Sequence, residues 1–227
     1  MALARKTITV KRKNESQIAI SVALALALVI ATVACGSRAA SSPGASEEYE
    51  GAALDSLAAD FRLVDQNGAI VTLSDFRGQV VVLTFMDSQC KETCPLTAAH
   101  LRRANKTLGD KAASVAFIGI NVNVEANTVT QVGTATEQWR LDEIPTWHFL
   151  TGSAEELEPI WKGYGIAVLP APENGEIVHT PGVYLIDQKG RMRWYISTPY
   201  DETGAPQWTA PLSDLLVKHI QALLSKG

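Results

Sequence analysis

Cysteine is scarce: the 227 residues contain only Cys35, Cys90 and Cys94. Closing Cys90 onto Cys94 would make so small a loop that little entropy leaves the unfolded chain, so the pair is not a structural staple. No further cysteine is present to complete a tetrahedral zinc site around the two. Basic charge is also in short supply beyond the N-terminus. Residues 1–35 carry Arg5, Lys6, Lys11, Arg12 and Lys13 against one acidic side chain, which leaves 15 basic and 23 acidic residues in the remainder, a net of −8. Nucleic-acid binding depends on basic side chains meeting phosphates, so nucleic acid is excluded as a partner. The acidity reads as solubility rather than as a docking face. There is no internal repeat, and the 170 residues from Ala58 to Gly227 suit one domain with a substantial core and leave no room for a second.

What is present begins with an export or anchoring segment. The five basic residues precede an uncharged apolar stretch from Ile18 to Ala34. It ends in Thr32-Val33-Ala34-Cys35-Gly36, small residues and then a cysteine, which resembles the lipobox of bacterial lipoproteins and makes Cys35 the acylated residue. The alternative is an uncleaved transmembrane helix with Cys35 as a bystander. Either arrangement holds the rest of the chain at the outer face of the bacterial cytoplasmic membrane. Residues 36–57 have too few large apolar side chains for a core and read as a flexible tether. The expected organisation is therefore a signal peptide or anchor over 1–35, a tether over 36–57 and a folded domain over 58–227.

Within that domain, Phe61–Asp65 and Ala69–Leu73 flank a Gln66-Asn67-Gly68 turn and predict a hairpin. Continuous apolar runs at Val80–Phe85 and Val115–Val122 predict buried strands. Helices are expected over Leu96–Leu108, Thr128–Trp139, Glu155–Tyr164 and Leu212–Leu224, and further strands over Trp147–Leu150, Gly182–Ile186 and Met192–Ile196. Strands alternating with helices, closed by a hairpin and a helix, predict an α/β sandwich of thioredoxin type with a central mixed sheet and an N-terminal β-hairpin.

The chemistry-bearing motif is Cys90-Lys91-Glu92-Thr93-Cys94-Pro95, between a buried strand and a helix. Two thiols at the mouth of a helix can hold one soft metal ion or close as a disulfide. The helix N-terminus favours thiolate, which is both nucleophile and metal ligand. Of the four histidines, His219 is expected at the surface. His100 faces away from Cys94 on the helix. His148 lies in a short apolar strand and suits packing or hydrogen bonding. His179 follows a proline-rich segment, Leu169 to Glu176, and leads into a strand whose start faces the cysteine turn in such a fold. Spacing alone leaves it open between ligand and bystander.

Cys90-x-x-x-Cys94-Pro95, Trp147-His148-Phe149-Leu150-Thr151-Gly152, and His179 before Tyr184-Leu185-Ile186-Asp187-x-x-Gly190 together resemble the Sco/SenC family, over about Phe61 to Tyr195. The resemblance implies a membrane-tethered thioredoxin fold that binds copper, as Cu(I), through Cys90, Cys94 and His179. It places Asp87 where relatives carry an acidic residue beside the first cysteine. It implies a role in assembling the dinuclear copper centre of cytochrome c oxidase, or another exported cuproprotein, by donating copper or by keeping that centre's cysteines reduced. Lys91 and Pro181 depart from the usual family residues. Pro181 falls near the cis-proline of thioredoxins, with plain strand entry as the alternative. The competing class is an enzyme, a tethered thiol-disulfide oxidoreductase needing Cys90 and Cys94 as its redox pair but not His179. A peroxidase is excluded because Asp87-Ser88-Gln89 supplies no threonine before Cys90.

Overall fold

The computed structural model describes residues 50–169, 177–197 and 211–226. Ten strands form among the described residues: β1 (Ala52–Leu57), β2 (Arg62–Val64), β3 (Ile70–Thr72), β4 (Val80–Met86), β5 (Val115–Asn121), β6 (Trp147–Leu150), β7 (Val168–Leu169), β8 (Val178–His179), β9 (Val183–Ile186) and β10 (Arg191–Ile196). The α-helices are α1 (Thr93–Leu108), α2 (Val129–Gln138), α3 (Ala154–Gly163) and α4 (Leu212–Leu224).

The central sheet is mixed, in the order β1-β10-β9-β4-β5-β6. β4, β5 and β6 run parallel, while β9 lies antiparallel to β4, and β10 antiparallel to β9. β2 and β3 pair as the expected hairpin, joined to the body through a bridge between Val64 and Thr151. Every residue of β4 and β5 is buried, which explains their unbroken apolar runs: with both faces covered, neither needs polar alternation. Val80, Val82 and Met86 face α1, α2 and α4, whereas Val81, Leu83 and Phe85 face the hairpin and α3. Fully burying each such side chain contributes about 1.5–3 kcal/mol.

Two findings differ from the sequence reading. Residues 52–57 are not slack chain but strand β1, paired antiparallel to β10 from Ala52 opposite Tyr195 to Leu57 opposite Arg191. Their side chains gave no core signal because this edge strand leaves them mostly exposed, Leu57 at 66 %; the backbone ladder, not burial, holds them. His219, expected at the surface, is 5 % exposed. It sits on the inner side of α4, stacks on Trp194 with ring centroids 4.0 Å apart, and bonds through Nε2 to the Glu50 carbonyl at 2.9 Å.

The segments carrying Cys35 and the apolar stretch, and the run from Pro170 to Glu176, lie outside the described residues. Among the described residues, no helix is long and apolar enough to cross a membrane.

Candidate metal centre

At the carboxyl end of β4 the chain turns polar, and Asp87, 4 % exposed, organises the turn. Its Oδ1 accepts from the Gln89 amide at 2.9 Å and from Asn123 Nδ2 at 2.8 Å, while its carbonyl accepts from the Cys90 amide at 3.0 Å. Ser88 donates through Oγ to the Ala126 carbonyl at 2.8 Å, and the Asn121 side-chain amide donates to the carbonyls of Asn123 and Ala126. This buried network ties the ends of β4 and β5 together, and each bond matters because an unpaired polar group there would carry its full desolvation cost. Sequence reasoning missed Asn121 and Asn123. The signal was available: two asparagines, one closing the apolar run of β5 and one just beyond it.

Helix α1 starts at Thr93, three residues before the expected Leu96, so Cys94 lies inside its first turn and Cys90 just ahead of it. Pro95 sacrifices no helical bond there, since first-turn amides have no partner within the helix. One of those amides, that of Cys94, donates to Cys90 Sγ at 3.4 Å, and Thr93 Oγ1 stands 3.5 Å from the same sulfur. Cys90 is pulled down to about 5, chiefly by the hydrogen bond from the Cys94 thiol; burial opposes this, and the Cys94 and Glu92 amides and the Thr93 hydroxyl assist. Cys94, 3 % exposed, is pushed well up because its proton is held against the Cys90 sulfur and because burial disfavours its charge. At neutral pH the pair is one accessible thiolate and one buried thiol, neither in a disulfide.

His179 arrives on the β7–β8 hairpin, in which Val168 pairs with His179 and Leu169 with Val178. Two bonds continue that pairing, from the Thr180 amide to the Ala167 carbonyl at 2.9 Å and from the Ala167 amide to Thr180 Oγ1 at 3.0 Å. His179 Nδ1 lies 3.1 Å from the Thr180 carbonyl. A carbonyl only accepts, so Nδ1 carries the proton and Nε2 keeps its lone pair. Burial holds the imidazole below its ordinary value, against the opposing influence of that carbonyl and of Cys90 and Asp87, and His179 is neutral at pH 7.

Asp87, Cys90, Cys94 and His179 line one cavity of about 350 Å³, together with Thr97, Ile177 and Pro181. Among the described residues no three His, Cys, Asp or Glu side chains stand close enough to hold a metal ion as they are. The two sulfurs and the imidazole share a cavity and would have to close on an ion. Two soft sulfurs with one neutral nitrogen make a donor set for a soft ion such as Cu(I) rather than for magnesium or calcium.

The other histidines take no part. His148 Nδ1 bonds to Asp65 Oδ2 at 3.1 Å, the hydrogen-bonding role expected of it. His100 is not among the residues lining the cavity. The described peptide bonds are all trans, so Pro181 is a strand-entry proline.

The sequence pattern of the SCO1/SenC family matches residues 50–209. Among individual proteins, the SCO1 protein homolog of Bacillus subtilis is 27 % identical over 148 residues, covering 63 % of this chain and 76 % of its own length. The chain spans about half the length of the mitochondrial SCO2 homologs that it also matches. Its fold is that of the copper-bound ScoI of Arabidopsis thaliana, with a TM-score of 0.62 at 21 % identity over 76 % of this chain and all of that one. It is also that of BsSco, described as a member of the Sco family of cytochrome c oxidase assembly proteins and as having a disulfide switch, with a TM-score of 0.59 at 22 % identity over 78 % of this chain and 98 % of that one.

Proposed function

Since the chain belongs to the SCO1/SenC family, we propose that it is a membrane-tethered copper carrier that loads the dinuclear copper centre of cytochrome c oxidase, or another exported cuproprotein. The observation that carries this reading is the meeting of Cys90, Cys94 and a neutral His179 with a free Nε2 in one cavity. Copper here is cargo. Cu(I) entering the cavity meets the Cys90 thiolate already formed, displaces the proton of Cys94, and takes Nε2 of His179 as its nitrogen donor. Asp87 touches none of these ligands by a hydrogen bond of its side chain; it holds the turn that presents them. The copper-bound ScoI and the oxidase-assembly role attached to BsSco support the assignment. Tethering rests on the N-terminal sequence, with lipid on Cys35 or the apolar stretch itself as the anchor.

One observation favours a second reading, thiol-disulfide exchange: the opposite protonation of the two cysteines. The Cys90 thiolate would attack a partner disulfide, releasing one partner thiolate. Cys94, after losing its proton, would attack the Cys90 sulfur, freeing the second partner thiol and leaving a Cys90–Cys94 disulfide. This chemistry needs no imidazole. Competition for Cu(I) between the full-length reduced protein and a chromophoric chelator separates the two. Tight one-to-one binding weakened by both Cys94→Ser and His179→Ala is the expected result; binding indifferent to His179→Ala would leave the reductase.

A further inference from the structure

His179 is followed by three residues whose backbone is held in an unusual way. The ladder between β9 and its neighbours begins only at Val183, which faces Ile196 on β10 and Thr84 on β4. Ahead of it, two successive carbonyls are taken by side-chain hydroxyls from those two strands. Tyr195 Oη donates to the Pro181 carbonyl at 2.6 Å, and Thr84 Oγ1, itself buried, donates to the Gly182 carbonyl at 3.1 Å. The phenol also packs close against Gly182. A Cβ built on Gly182 would stand 2.4 Å from Tyr195 Cε2 and 2.6 Å from its Oη, so this approach requires glycine. The ring is backed in turn by Tyr184, centroids 4.9 Å apart.

From this geometry we propose that Tyr195 is a positioning residue for His179. Its hydroxyl extends the sheet's hold on the chain two residues beyond the ladder, and it fixes the path from which the imidazole reaches over the cysteine cavity. Thr84 and Gly182 complete the latch, one by bonding the next carbonyl and the other by admitting the ring. Its effect on the imidazole passes through the Pro181 backbone, to whose carbonyl its hydroxyl donates. The proposal rests on the reading of His179 as a copper ligand.

Two measurements on the full-length reduced protein test it. In the first, Cu(I) affinity is measured for Tyr195→Phe in the native and His179→Ala backgrounds. Loss of one hydrogen bond corresponds to about a two- to tenfold weakening in the native background. No further weakening is expected once His179 is gone. Equal weakening in both backgrounds would mean a general structural role and overturn the proposal. In the second, the His179 imidazole of the metal-free protein is followed by NMR. The native protein is expected to show a single Nδ1–H tautomer, and Tyr195→Phe an averaged, exchange-broadened signal. Gly182→Ala, which displaces the ring while leaving the hydroxyl intact, is expected to reproduce it. An imidazole signal unchanged in both variants would overturn the proposal. If His179→Ala leaves Cu(I) affinity untouched, the copper reading falls, and the imidazole signal still decides whether Tyr195 positions His179.

Discussion

Cys90 and Cys94 are four residues apart, yet the fold gives them opposite tasks. Cys90 stands outside the helix, where the thiol of Cys94, two backbone amides and the Thr93 hydroxyl converge on its sulfur. Cys94 is inside the first turn, buried, and donates. Desolvation alone would raise both thiols. Donated hydrogen bonds win at Cys90 because several reach one sulfur, and they lose at Cys94 because its proton is the one being shared. Iodoacetamide should therefore label Cys90 with an apparent midpoint near pH 5, located by peptide mapping, while Cys94 stays unlabelled in the native protein. Cys94→Ala, which removes the largest contributor, should move that midpoint up. A midpoint above 8 in the unaltered protein would show that the helix start does not hold the thiolate.

At the scale of elements, what could be read from the sequence was what is buried on one consistent period. β4 and β5 announced themselves as apolar runs, and α4 was found from Leu212 to Leu224 as expected. The cysteine pair was legible from its place between such a run and a helix. What failed was whatever depends on long-range pairing. β1 has no buried stripe to betray it, since its partner β10 supplies backbone bonds rather than a cover. His219 looked like a surface residue because nothing local reveals that Trp194 lies over it and that the Glu50 carbonyl waits beside it. The same contacts yield a prediction. His219→Ala removes a stacked pair and a hydrogen bond joining α4, β10 and the chain just ahead of β1. A loss of about 1–3 kcal/mol is expected from those two contributions. It should appear as a lower urea midpoint with an unchanged slope, and a midpoint that does not move would return His219 to the surface role.

For the whole molecule, two electrostatic arguments point in opposite directions on acidification. The excess of acidic residues shrinks as pH falls, and reduced self-repulsion would stabilise the fold. Individual groups argue the reverse. His100, His179 and His219 are all held below the ordinary imidazole value, chiefly by burial, and Cys90 is held down to about 5. For each group the unfolded chain binds more protons than the folded one between the depressed value and the ordinary one. Stability therefore rises with pH through that window and is lost as pH falls through it. The Cys90 window runs from about 9 down to about 5, and the histidine windows lie below 6.5. Cys94, raised, acts in the opposite sense only at more alkaline pH. Diffuse repulsion is screened over about 8–10 Å at physiological salt, whereas the specific contacts are short and partly buried, so they should prevail. The midpoint of thermal unfolding of the reduced protein should fall steadily from pH 8 to pH 5. In Cys90→Ser the upper part of that decline should flatten, leaving a fall that begins near the histidine window. A midpoint that climbs on acidification would mean that net charge governs instead, and that the hydrogen bonds converging on Cys90 do not distinguish the folded chain from the unfolded one.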